Sequence, residues 1–202
     1  MDFIDDFEGN KLSRKWVATR YSFGGQNNGV WTREIKDSKI YAIPTSTGTE
    51  SGFWGERFSL PVNAPGDITI KALIRQKRTS GAQSYLLVGI DDTTMNTKSC
   101  GLGLLGGATN YKTGFKVVGQ TTFPGFPSKT EQISATDQLA ELRIVRKNGY
   151  VFYYIDNLYI GQYAYANTIA TVDIYFTWDQ GALGVVEKWV DWIRVSPSSV
   201  VL

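Results

Sequence analysis

"ELRIVRKNGYVFYYID" (Glu141 to Asp156) places two alternating apolar and polar runs on either side of Asn148-Gly149. Asparagine and glycine both accept the positive φ that a type I′ turn demands at its two central positions, so the pair predicts a tight β-hairpin. The turn fixes the register. If Lys147 faces Tyr150, then Arg146 faces Val151, Val145 faces Phe152, Ile144 faces Tyr153, Arg143 faces Tyr154 and Leu142 faces Ile155. One face then collects Leu142, Ile144, Val151, Tyr153 and Ile155, a core surface. The other collects Glu141, Arg143, Val145, Phe152 and Tyr154, rings mixed with charges, as a half-wet surface or a sugar-binding floor would.

The same period of two extends outward along the chain. "GVWTREI", "KIYAI", "GFWGERFSL", "DITIKALIR", "SYLLVGI", "CGLGLL", "GFKVVG", "LYIGQYA", "TVDIYFTW" and "KWVDWIRV" alternate or run short and apolar, broken by Gly, Asn, Asp and Ser. About a dozen strands at this spacing suit two stacked sheets. The expected fold is therefore all-β, a two-sheet antiparallel sandwich forming a single domain over residues 1–202. "TFPGFPSKTEQISATDQ" reads as a long loop, and "TEQISATDQLAE" is the one place for a short helical turn.

Composition narrows the chemistry. The 202 residues are 42% hydrophobic, enough to bury a real core, and the formal charge of +2 is scattered without long runs. This argues against a nucleic-acid surface or membrane insertion. No stretch approaches the roughly 20 apolar residues of a spanning helix, and "MDFIDDFEGN" lacks the features of a signal peptide. A mature secreted domain, or one cut from a longer chain, has the same appearance. There is no histidine, which removes Ser-His-Asp and Cys-His catalysis and the commonest zinc sites. The single cysteine, Cys100, has no internal disulfide partner and reads as a space-filler in a strand.

Three phrases, in order, carry a family likeness: "DDFEGNKLSRKW" (Asp5 to Trp16), "RIVRKNGYVFYYIDNLYIG" (Arg143 to Gly161) and "WVDWIRV" (Trp189 to Val195). Together they resemble the concanavalin A-like lectin and glucanase superfamily, the LamG-like and laminarinase-like jelly rolls. The resemblance implies a sandwich whose concave sheet often binds polysaccharide, with Trp16 and Trp192 as structural anchors. It also implies that Asp191 helps hold a structural Ca²⁺ with backbone carbonyls near the N-terminal strand. An Asp191 that only hydrogen-bonds the N-terminal segment is the plainer alternative.

The likeness does not carry catalysis with it. Glucanases of that superfamily alternate carboxylates along one strand, Glu-x-Asp-x-x-Glu or Glu-x-Asp-x-Glu, as nucleophile and acid. Glu8, Glu34, Glu50, Glu56, Glu131, Glu141 and Glu187 all lack an aspartate two residues later. Glu50 with Glu56, or Glu187 with Asp191, would be a nonstandard pair, though exposed strand-edge charges explain them more cheaply. A lyase using tyrosine and a basic residue is the second enzyme alternative.

Six tryptophans and eleven tyrosines supply surface for stacking sugar rings. Trp31, Trp54 and Trp178 stand near Gly or polar residues, and exposure and core packing both stay open for them. In "TVDIYFTWD", Val172, Ile174, Phe176 and Trp178 should be buried; Asp173, Tyr175, Thr177 and Asp179 form a polar row, a neighbour for Arg143, Phe152 and Tyr154 if the strands share a sheet. Tyr85, Gln83 and Arg75 are further candidates, and Asn27 and Asn28 are either rim amides or turn residues. Asp91 and Asp92 in "GIDDTT" read as a turn.

The expected function is a non-catalytic, lectin-like module binding a polysaccharide or glycan through Arg143, Phe152, Tyr154, Tyr175, Trp31, Trp54 and Tyr85. Its setting would be extracellular, on a cell surface or in a virion, as part of a larger protein. A polysaccharide-cleaving enzyme and a structural or adhesion domain are the alternatives.

Overall fold

The computed structural model describes residues 3–8, 12–23, 30–46, 53–78, 84–91, 97–104, 111–118, 137–179 and 186–197. They form fourteen strands: β1 (Phe3–Asp5), β2 (Val17–Phe23), β3 (Val30–Lys36), β4 (Lys39–Ser46), β5 (Phe53–Ala64), β6 (Ile68–Arg78), β7 (Ser84–Asp91), β8 (Thr97–Leu104), β9 (Tyr111–Val118), β10 (Asp137–Lys147), β11 (Tyr150–Ile155), β12 (Leu158–Ala164), β13 (Ile169–Asp179) and β14 (Val186–Pro197). There is no α-helix among the described residues. The segment expected to hold a helical turn lies outside them up to residue 136, and from Asp137 onward it is strand.

Two antiparallel sheets stack as a sandwich. The first has eight strands, in the order β12-β11-β10-β6-β14-β4-β3 with β1 added beside β14; the second has six, β2-β5-β13-β7-β8-β9. The chain ends lie side by side, Phe3 opposite Val195 and Asp5 opposite Ile193. Asp5 anchors this corner by accepting from the Phe7 amide (3.0 Å) and from Trp16 Nε1 (2.8 Å), which lets both rings sit in the core. Trp192, expected as a second anchor, is only half-buried, because the strand bulges between Val190 and Trp192.

The Asn148-Gly149 hairpin has the register that its turn dictates, from Lys147 opposite Tyr150 to Leu142 opposite Ile155. Both turn residues have positive φ, 52° and 75°. Two more hairpins turn on paired positive φ without glycine, at Asp37-Ser38 and at Asp156-Asn157. Asp156 also locks its turn to β10, accepting from the Glu141 amide at 2.8 Å.

Between the sheets, Ile70, Ile74, Ile144, Tyr153 and Val190 meet Phe58, Leu86, Val88, Ile174 and Phe176. The Phe58 and Phe176 rings pack edge to face at 5.5 Å. Arg146, on the core face of β10, reaches an edge of the sandwich and donates to the carbonyls of Pro65, Gly66 and Ala166.

Candidate functional site

The outer face of the six-stranded sheet gathers the most concentrated polar chemistry among the described residues. Along β13, Val172, Ile174 and Phe176 enter the core, so Asp173 and Tyr175 point the other way. Register sets Tyr175 between Arg57 on β5 and Leu87 on β7, Asp173 between Ser59 and Gly89, and Thr171 opposite Asp91. Asp91 and Asp173 are thus diagonal neighbours on one face.

These groups are buried although they face away from the core: Asp173 is 0% exposed and Tyr175 3%. Asp173 Oδ2 accepts from the Thr171 hydroxyl (3.1 Å) and the Tyr175 hydroxyl (3.3 Å), and Arg57 Nη1 lies 3.4 Å from Asp91 Oδ2. Ser59, opposite Asp173 on β5, brings its hydroxyl to the same carboxyl. Burial pushes the Asp173 carboxyl up from the usual carboxylate range, against the opposing pull of Arg57 and the neighbouring hydroxyls. Burial would lower the Arg57 pKa, but Asp173, Tyr175 and Asp91 outweigh it and leave it raised.

The outer face of the eight-stranded sheet is more open. The Arg143 guanidinium sits 4.1 Å from the Tyr154 ring centroid, Tyr154 meets Tyr159 edge-on at 5.7 Å, and Phe152 lies 6.4 Å from Tyr150. Further across this face, Arg75 donates from Nε (2.6 Å) and Nη2 to both oxygens of Asp137, holding that carboxylate below its usual range. Arg75 also lies over Trp189, beside Tyr41.

Arg143, Phe152 and Tyr154 thus come together, but Tyr175 does not join them. β13 pairs with β5 and β7, whereas β10 and β11 belong to the other sheet, so the two sets stand on opposite outsides of the sandwich. Alternation tells which side of a strand a residue takes, and nothing about which sheet the strand joins. Trp31 lies in β3 opposite Pro44, Trp54 in β5 opposite Trp178, and Tyr85 in β7 opposite Thr177. The side chains of these four aromatic residues are outside what the structure describes, as are Asn27, Asn28, Glu50, Gln83 and Asp92.

Asp91 is corrected from a turn residue to the buried last residue of β7. Glu56 pairs with Arg33 at 2.7 Å. The bulge leaves Asp191 out of register, its Oδ1 3.4 Å from Lys39 Nζ. The Lys39 ammonium faces the carboxylate that would have to bind the cation, which weighs against a calcium site there. Arg57 was missed by the sequence reading. Its signal is in "ERFSL", where Arg57 and Ser59 alternate with Phe58 and Leu60, a charged row opposite a core row.

Neither a protein-family profile nor a curated protein matches this sequence. Solved structures do resemble the fold. The CBM2 module of the evolved Dit of Lactobacillus casei BL23 phage J-1 superposes with TM-score 0.72 at 10% identity, covering 99% of this chain and 96% of that one. An endo-β-1,3-glucanase from Pyrococcus furiosus superposes with TM-score 0.57 at 11% identity, covering 96% and 93%. Rv0315 of Mycobacterium tuberculosis, described as a pseudo β-1,3-glucanase, gives TM-score 0.64 at 15% identity, covering 97% and 98%. At such identities the likeness establishes a fold: the chain is a two-sheet antiparallel jelly-roll sandwich of the kind these proteins share.

Proposed function

We propose that the chain is a carbohydrate-binding module, a single domain over residues 1–202, that recognises a polysaccharide or glycan on the outer face of the six-stranded sheet and does not cleave it. The observation carrying this reading is the cluster on that face, in which buried Asp91, Asp173 and Tyr175 hold the partly exposed Arg57 guanidinium. Neighbouring sugar hydroxyls need acceptors and donors within a few ångströms of each other, which a carboxylate beside a guanidinium supplies. The similar structures include a CBM2 module and glucanases, which favours the ligand class. The phage module also favours a virion or extracellular setting within a larger protein.

Non-cleavage is favoured by β8. Its register sets Ser99, Gly101 and Gly103 opposite Gly89, Leu87 and Tyr85, so the strand next to β7 brings no carboxylate to this face at those positions. A glycan array run beside a reducing-sugar assay on laminarin and lichenan tests the proposal. Saturable binding with no reducing ends above a blank is expected; turnover, or a silent array, overturns it.

One observation favours a second reading. Asp173, pushed up by burial, beside an Asp91 paired with Arg57, is a pair of carboxyls in unlike environments, the condition that separates acid from base roles. Turnover abolished by Asp173→Asn would promote it. Arg143, Phe152 and Tyr154 remain a rival location for the glycan, on the opposite sheet. Calcium at Asp191 is a separate proposal that the Lys39 pair argues against. A rise in melting temperature with calcium, reversed by a chelator, would support it.

A further inference from the structure

The outer face of the eight-stranded sheet carries a groove of about 330 Å³ between Trp189 and the β3–β4 turn. Register explains its floor. Trp189 stands opposite Tyr41 on one side and Arg75 on the other, while the next residues along, Val190, Ile40 and Ile74, are fully buried in the core. The three outward side chains therefore stand in a row across three strands. The rings are 5.3 Å apart and tilted by 44°, so they do not close flat on one another. Arg75, clamped by Asp137, is held 5.4 Å from the Trp189 centroid.

The rim is polar and carries both signs of charge. The tight turn, with Asp37 at φ 51° and Ser38 at φ 56°, presents Lys36, Asp37 and Lys39, and Glu187 lines the groove beside Trp189. Lys39 is matched by Asp191 and Arg75 by Asp137, leaving Lys36 against Asp37 and Glu187. Such a site keeps a small net negative charge, which disfavours an anionic ligand. It offers carboxylate acceptors, ammonium and phenol donors, and an aromatic floor in one concavity.

We propose that this groove is a second saccharide-binding site, for one neutral sugar ring, on the opposite outside of the sandwich from the Asp173 cluster. The aromatic floor takes the C–H face of the ring, and Glu187, Asp37 and Lys36 take its hydroxyls. Tyr41 keeps its phenol proton for donation, since burial, Glu187 and Glu34 all raise its pKa. The site shares a ligand class with the proposed function and uses none of its residues. Two sites facing opposite ways would let one module hold two glycan chains and gain from their linkage.

The test is an NMR titration of the isotope-labelled full chain with glucose, galactose, mannose, N-acetylglucosamine, cellobiose and laminaribiose, reading the Trp189 indole N–H, assigned through Trp189→Phe. At least one sugar is expected to shift that signal saturably where sorbitol does not. Tyr41→Ala should weaken the response about tenfold, the weight of one ring contact. Glu187→Gln, a surface change that spares the fold, should weaken it as well, and Asp173→Asn should leave it unaltered. The proposal is overturned if no sugar moves the signal beyond sorbitol, or if neither Tyr41→Ala nor Glu187→Gln changes the affinity. Sugar responses that depend on Asp173 and spare Trp189 would sink this site and leave the first standing; the converse pattern would do the opposite.

Discussion

The two outer faces of the sandwich grow from the same alternation of apolar and polar residues, yet one hides its charges and the other displays them. On the six-stranded sheet Asp173, Asp91 and Ser59 are buried. On the eight-stranded sheet Arg143, Phe152 and Tyr154 are half-buried, and Tyr159 is 43% exposed. A carboxylate without water must find hydrogen bonds or a cation, which is why Asp173 is surrounded by Thr171, Tyr175 and Arg57. A ring in partial contact with water has less need of such partners, and the Tyr154 patch is held by the Arg143 cation, the Tyr159 ring and the Tyr159 hydroxyl donating to Gln162. The polar groups of the first face are consequently fixed in place before any ligand arrives, and those of the second are adjustable.

Core packing sets the scale for breaking this comparison. Tyr153, fully buried behind Arg143 and Tyr154, should lose about 3 kcal/mol or more on truncation to Ala in urea unfolding. Tyr154→Ala should lose about 1 kcal/mol, its contacts with Arg143 and Tyr159. The reverse order would mean that the inner and outer faces of β11 had been exchanged.

Arg57→Met should be next, costing about 2 kcal/mol at pH 7, because it strips the cation from beside buried carboxylates. The deficit should narrow in acid as Asp173 takes a proton; a cost independent of pH would contradict the network. Asp173→Asn keeps the shape and should change stability at pH 7 by about 1 kcal/mol or less. Its sign with pH is the sharper test. A carboxyl whose folded pKa is raised contributes most below its unfolded pKa and loses that contribution as pH rises through the folded value. The wild type should therefore gain on Asp173→Asn as pH is lowered, and a gain on raising pH would refute the assignment.

The smallest effect belongs to the open face. Asp137→Asn should cost under about 1 kcal/mol at neutral pH, since both partners are partly exposed. Asp137 is held low by Arg75, so its contribution is present above the unfolded pKa and is lost as pH falls through the folded one. Equal stabilities of wild type and variant in strong acid are expected.

Much of the fold was legible because Asn148-Gly149 fixes a turn, and a turn with a period of two fixes faces. Sheet membership was not legible: Tyr175 and Tyr154 lie on alternating strands of similar composition, and only long-range pairing separates β13 from β11. Nor was the bulge at Asp191, since its flanking residues alternate as a regular strand would. Asp91 reads as a turn in "GIDD", and its burial depends on Arg57, thirty-four positions away in sequence.

Glycan binding to an array by the native chain, Arg57→Gln and Tyr154→Ala, each first checked for folding, tests the central claim most directly. The expected result is a glycan bound by the native chain and by Tyr154→Ala with similar affinity, and bound about tenfold or more weakly by Arg57→Gln, the weight of a charged hydrogen bond. Binding that survives Arg57→Gln and disappears in Tyr154→Ala would contradict it and move the site to the opposite sheet.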